Sequence, residues 1–148
     1  MILDATLAYL HFLCIFGVFA VLSMEAVLLR PALIASAGRW IAKLDLAYFI
    51  AAILTVASGL SRAVWGIKGW AFYAHQPAFH IKLGLFLLIG LISIAPTRIF
   101  LRWARGFRND PAYAIADDEL KQARRFVIIE VHLLLLLPVC AVIMARGL

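Results

Sequence analysis

The residues of this chain that could do chemistry lie where polar groups are least expected. Three of the four histidines, His11, His80 and His132, stand within long apolar runs, and Lys82 follows His80 by two positions. Polar side chains in such runs are costly to place in hydrocarbon, so they mark either a site or a contact between helices. They fall into two layers. His11, His80 and Lys82, with Arg62 near them in height, lie toward one end of the runs. Glu25, Asp45, Arg98 and Glu130 lie toward the other, with His132 closer to the middle. His75 sits in a connection and reads as a surface residue.

Neutral imidazole ligates metals, and two histidines on facing helices can hold a haem iron from both sides inside a bundle. This pattern predicts a haem b with His11 and His80 as axial, metal-ligating residues. Gly84, one turn after His80, leaves room for the macrocycle, and Ser58 and Gly59 are small residues on the second run. Arg62, Lys68 and Lys82 are placed to pair with propionates. His80 and Lys82 point about 200° apart on a helix, so they cannot both face one iron. Lys82 is thus the alternative ligand or a propionate partner, and His132 is a further cofactor-binding candidate one layer deeper. A zinc or copper site fits less well: no His-x-x-His or Glu-x-x-His occurs, and Cys14 stands only three residues from His11. Cys14 and Cys140 lie within apolar runs and read as packing residues. The alternative for each histidine is a hydrogen bond across the bundle.

In the other layer Glu25 comes five residues before Arg30, and Glu130 five after Arg125. Each carboxylate is then about 7 Å inside its helix end. Arg98 and Arg102, one turn apart, are at the right height to pair with them. Such a layer is a structural ion-pair cluster or a proton entry point.

The elements that must position these residues are membrane spans. Hydrophobic residues make up 66% of the 148, charged residues 15%, and the mean hydropathy is +1.00. Soluble domains are about half apolar and about a quarter charged. Four runs reach the ~20 apolar residues a spanning helix needs, at about 5–29, 44–64, 77–101 and 123–146. They are too long, and alternate too little, for barrel strands. The first follows no basic N-terminal region and reads as a span, not a signal peptide. The expected fold is all-α, an integral membrane antiparallel four-helix bundle forming one transmembrane domain over residues 1–148. The net charge of +6 does not indicate nucleic acid, because the basic residues flank the apolar runs.

Orientation follows from those flanks. The 1–2 connection carries Arg30, Arg39 and Lys43; the 3–4 connection and its approaches carry Arg98, Arg102, Arg105, Arg108, Lys121, Arg124 and Arg125. The opposite side carries only Arg62, Lys68, Lys82 and Arg146. Positive connections stay inside, which predicts a bacterial inner (cytoplasmic) membrane protein with both termini periplasmic. Trp65, Trp70 and Tyr73 are then outer interfacial anchors, and Trp40 and Trp103 inner ones. The aromatic 2–3 connection should fold against the outer surface, the Gly106–Gln122 segment reads first as a solvated connection, with a short surface helix as the alternative, and Asp117-Asp118-Glu119 is a helix-start signature. Pro96 and Pro138 should kink the third and fourth spans.

Four stretches, in order, resemble the HemJ-type protoporphyrinogen oxidase family of small membrane haem proteins. Leu10-His11-Phe12-Leu13 resembles its intramembrane histidine motif, and Thr55-Val-Ala-Ser-Gly59-Leu60 its second-helix Thr-x-x-x-Gly-Leu pattern. Phe79-His80-Ile81-Lys82-Leu83 resembles the Trp-x-x-x-Lys-Leu motif of its third helix, and Arg125 to Val131 its Arg-x-x-Asn-Glu-Val-Pro motif. The resemblance implies haem binding by His11 and Lys82, a part for Lys82 in activity, and a functional position for Glu130. The sequence departs from that family in lacking its Pro-Arg-Leu segment after the first helix and its histidine late in the third, and His132 stands where the family has proline. Ala95-Pro96-Thr97 and the Met144-Ala145-Arg146-Gly147 ending more closely resemble a related uncharacterised group of bacterial four-helix membrane proteins.

Three functions are compatible with these residues. One is a membrane haem b redox protein acting on a porphyrin or passing electrons to a quinone, with Lys82 and Glu130 as its candidate catalytic residues. The second is a small proton or ion transport module. The third is a non-catalytic membrane subunit whose polar residues bind helices together. A haem edge partly exposed to lipid would favour a homodimer.

Overall fold

The computed structural model describes residues 2–146; of the C-terminal ending quoted above, Gly147 and the side chains of Met144 and Ala145 lie outside the described part. The chain folds as α1 (Ile2–Leu28), α2 (Pro31–Ala37), α3 (Ile41–Trp65), α4 (Gly69–Ala74), α5 (Pro77–Asn109), α6 (Asp117–Leu134) and α7 (Leu137–Arg146). No strand occurs among the described residues. Four helical stretches are long and apolar enough to cross a membrane: Ile2–Leu28, Ile41–Trp65, Pro77–Asn109 and Asp117–Ile143. α1 packs along α3, α5 along α6 and α7, and the two pairs meet through α1 with α6 and α3 with α5. This closes a ring of four in an all-α bundle.

Each helix buries one narrow stripe. On α1 it is His11, Val18, Leu22 and Glu25; on α3 it is Ile41, Asp45, Tyr48 and Thr55; on α6 it is Leu120, Ala123, Val127, Glu130 and Leu134. The steps of three, four and seven are those of a helix seam in a bundle. The remaining faces are apolar and exposed, with Phe16 at 68% and Leu87 at 65%. Large apolar side chains turned outward around the whole bundle are stable against lipid, not water. Polar residues on the seams are the exception, and they recur at two heights.

The turns follow from prolines and glycines. Pro31 and Pro77 each occupy the first helical position, where no amide donor is needed, and the residues before them, Arg30 and Gln76, are extended. Gly69 opens α4 with φ +69, a backbone region that other residues avoid. Pro138 ends α6: its ring would meet the carbonyl four residues earlier, that of Leu134, the last residue of α6. The chain resumes as α7 after Leu135–Leu136, with Pro138 in its first turn. The helix runs on through Pro96, which is buried in the seam of α5.

Several expectations need correction. The third span continues to Asn109, and the fourth begins at Asp117. The segment between them is a turn closed over the bundle end, not a helix: Arg39 donates to the Pro111 carbonyl at 2.9 Å, and the Phe107 and Tyr113 rings meet edge to face. Both other connections do contain short helices, α2 and α4. Trp103 is no interfacial anchor. It is fully buried, and its Nε1 donates to Glu119 Oε2 at 2.8 Å. Glu119 also forms an ion pair with Arg102.

Candidate functional site

The bundle end that carries α4 is here called the aromatic end, and the end that carries the arginine-rich connection the basic end. At the aromatic end a cleft opens between α1, α3 and α5. It is shallow and open on one side, with a cavity volume of about 80 Å³, smaller than an enclosed small-molecule site. Its polar lining is His11, Thr55, Arg62, Tyr73 and Lys82; Phe79, Leu83 and Phe86 of α5 contribute apolar wall.

His11 is held by α3. Ser58 Oγ donates to the Thr55 carbonyl at 3.1 Å, which uses the only hydroxyl proton Ser58 has. Ser58 Oγ also stands 3.0 Å from His11 Nδ1 and therefore accepts the Nδ1 proton. With Nδ1 donating to Ser58, the lone pair falls on Nε2, on a ring that lines the cleft. A histidine fixed through one nitrogen with the other free is the arrangement of a metal ligand. Gly59 permits it, because a Cβ there would lie 3.0 Å from His11 Cε1. The Thr-x-x-x-Gly-Leu stretch thus forms the wall on which the imidazole rests.

Two cations share the cleft without an anion. Arg62 lies 5.9 Å from the Phe12 ring centroid, and its Nε is buried with no hydrogen-bond partner. Lys82 is half-buried in the wall formed by α5. Among the described residues neither takes part in an ion pair. Asp4, close in height, instead accepts from the Ile67 amide at 3.1 Å.

The structure therefore brings together His11, Arg62 and Lys82 and leaves out three other candidates. His80 is exposed on the far side of its helix, with its Nε2 2.9 Å from the Ala74 carbonyl. Gly84 is exposed, with nothing close to it. His132 is exposed, with Nδ1 2.7 Å from the Ile128 carbonyl. The angular separation of His80 and Lys82 on one helix decides between them, and it is Lys82 that faces His11. Sequence reasoning missed the roles of Ser58 and Thr55 in orienting His11; a hydroxyl four residues before the α3 arginine was the available signal.

At the basic end Glu25, Asp45 and Glu130 meet on the seams of α1, α3 and α6, and all three are buried. Tyr48 joins them, its hydroxyl donating to Glu130 Oε2 at 3.2 Å. The expected arginine partners are elsewhere. Arg98 is exposed, and Arg102 is taken by Glu119. Along α1, His11 and Glu25 are fourteen residues apart, so the two polar layers are separated by about 21 Å.

Among proteins already grouped by sequence, the chain matches the family described as Predicted membrane protein (DUF2214) over residues 3–148, and it belongs to that family. No curated protein and no solved structure matches it.

Proposed function

We propose that this member of the family binds haem b at the aromatic-end cleft and serves a redox role in the membrane. The observation that carries the reading is the grouping of His11, held at Nδ1 by Ser58, with two cations outside any ion pair, Arg62 and Lys82, in one apolar-walled cleft. An amphipathic dianion with a metal at its centre would match that set: His11 would hold the iron and Arg62 and Lys82 the propionates, with Phe79, Leu83 and Phe86 offering apolar contact. The orphaned Nε of Arg62 is the feature that a propionate would satisfy. Lys82 serves as a propionate partner while charged and as a second ligand only if it loses its proton. When bound, the haem would supply one-electron chemistry; the chain's own residues hold the ring, orient the ligand imidazole and exclude water.

The resemblance to HemJ-type enzymes makes porphyrin oxidation the first activity to assay, with Lys82 as the candidate catalytic residue in the cleft; Glu130, the other candidate from that resemblance, lies in the basic-end layer and does not line the cleft. Electron transfer to a quinone is the next activity to assay. The charge distribution supports the bacterial inner membrane as location, with the basic end cytoplasmic. Absorption spectroscopy of the purified protein, expressed with haem available, tests the proposal. A Soret band with reduced b-type α-bands is expected, and it should be lost in His11→Ala but kept in His80→Ala and His132→Ala. A folded, colourless wild-type protein that takes up no added haem would overturn it.

A further inference from the structure

The acid layer at the basic end has a chemistry of its own. Glu25 and Glu130 are each 1% exposed and Asp45 6%, on three different helices. Glu25 Oε1 and Glu130 Oε1 have no hydrogen-bond partner. Every element around the cluster contributes something, and none contributes a positive charge. α1 brings Glu25, α3 brings Asp45 and Tyr48, α6 brings Glu130, and α5 brings the Thr97 hydroxyl beside Asp45. The one ion pair among the described residues, Arg102–Glu119, lies apart from it.

Three ionised carboxylates cannot share such a place. Desolvation of each is costly, their mutual repulsion is strong at low dielectric, and no cation offsets either. Something positive must occupy the cluster. Among the described residues no group of three or more His, Cys, Asp or Glu is arranged to hold a metal ion. Protonation needs no such geometry, and Tyr48 already shows one carboxyl oxygen engaged as an acceptor.

We propose that Glu25, Asp45 and Glu130 form a proton-binding site within the membrane, loaded at neutral pH and exchanging through the basic end. The site is independent of the haem reading and stands if that reading fails. A carboxyl that takes up a proton loses its charge, and the repulsion among those left ionised makes the protons leave one at a time. The two orphaned oxygens are where those protons belong.

Infrared spectra of the full-length protein in lipid vesicles at neutral pH, in H2O and in D2O, test this. The expected result is a carbonyl-stretch band of protonated carboxyl groups that shifts in D2O and loses part of its intensity in Glu25→Gln, Asp45→Asn and Glu130→Gln. The other five carboxylic side chains are not buried. Absence of the band from the wild-type protein would overturn the proposal. So would a band unaffected by all three substitutions, or one removed by sodium chloride at constant pH but not by potassium chloride, which would assign the site to a metal cation. The wild-type spectrum decides even where a variant fails to fold.

Discussion

Ser58 Oγ stands 3.0 Å from His11 Nδ1 while its hydroxyl donates to the Thr55 carbonyl, so a serine on one helix holds the imidazole of another by one nitrogen. Ser58→Ala removes that hold. Haem affinity in a titration should fall about 10–100-fold, the cost typical of losing a ligand's outer partner. Ser58→Thr, which keeps the hydroxyl, should restore most of it. Equal affinity in all three proteins would show that the hydrogen bond only joins helices.

Gly59 is the second half of that wall. A methyl group there stands 3.0 Å from the imidazole, so Gly59→Ala forces the ring or α1 to move. Overpacking of this kind costs about 1–3 kcal/mol. Thermal unfolding in detergent should show the loss, and ligand uptake by the folded fraction should be weaker. An unchanged midpoint would mean that the ring has room to retreat.

The cations of the cleft can be separated from its metal ligand by chemistry of the ligand. Arg62→Gln and Lys82→Gln should each weaken binding of haem by roughly tenfold or more, as expected for loss of a charge-assisted hydrogen bond worth about 1.5–3 kcal/mol. Haem dimethyl ester, which has no propionate charge, should bind the wild type and these variants alike. If the ester is as sensitive to the substitutions as haem, the cations do not meet propionates.

Much of this arrangement could be read in the sequence, and the misplacing of His80 and Arg98 has one cause. Apolar length located four spans, and rise per residue put His11, Arg62 and Lys82 at one height and Glu25, Asp45 and Glu130 at another. Height is fixed by counting along a helix, but the direction a side chain takes is fixed by which face the partners cover. His80 and Arg98 have the right height and the wrong azimuth: both are exposed, off the stripe of Phe79, Ile89, Pro96, Ile99 and Trp103 that α5 buries. Arg102 was misassigned for another reason. The fourth span begins earlier than its apolar run, and its first turn delivers Glu119 to Arg102 and Trp103. A charged first turn carries no hydropathy signal, so only the helix-start residues Asp117-Asp118-Glu119 pointed to it.

Trp103 tests that corrected contact. Trp103→Phe keeps the ring in the seam but leaves Glu119 Oε2 without the indole donor it now has at 2.8 Å. A loss of about 1.5–3 kcal/mol in stability is expected for a hydrogen bond to a charged group. Trp40→Phe, at an exposed position, should have little effect. If the two substitutions cost the same, burial of Trp103 and not its bond explains its place.

Orientation is open to chemical labelling in intact cells. With Cys14 and Cys140 replaced by alanine, a cysteine at Trp70 should react with a membrane-impermeant thiol reagent, and one at Arg108 should react only after lysis. The reverse pattern would place the basic end outside.

The separation of the two polar layers also sets an electrical scale. About 21 Å along α1 is some two-thirds of a ~30 Å hydrocarbon core, so a charge moved from one layer to the other crosses most of the transmembrane voltage drop. One elementary charge crossing the whole drop is worth about 2.3 kcal/mol per 100 mV, hence about 1.5 kcal/mol for this distance. An energised membrane would then bias any charge equilibrium between His11 and Glu25 by roughly tenfold per 100 mV. Only a charge that moves between the two layers would feel this bias; charges that stay in their layer leave the protein indifferent to voltage.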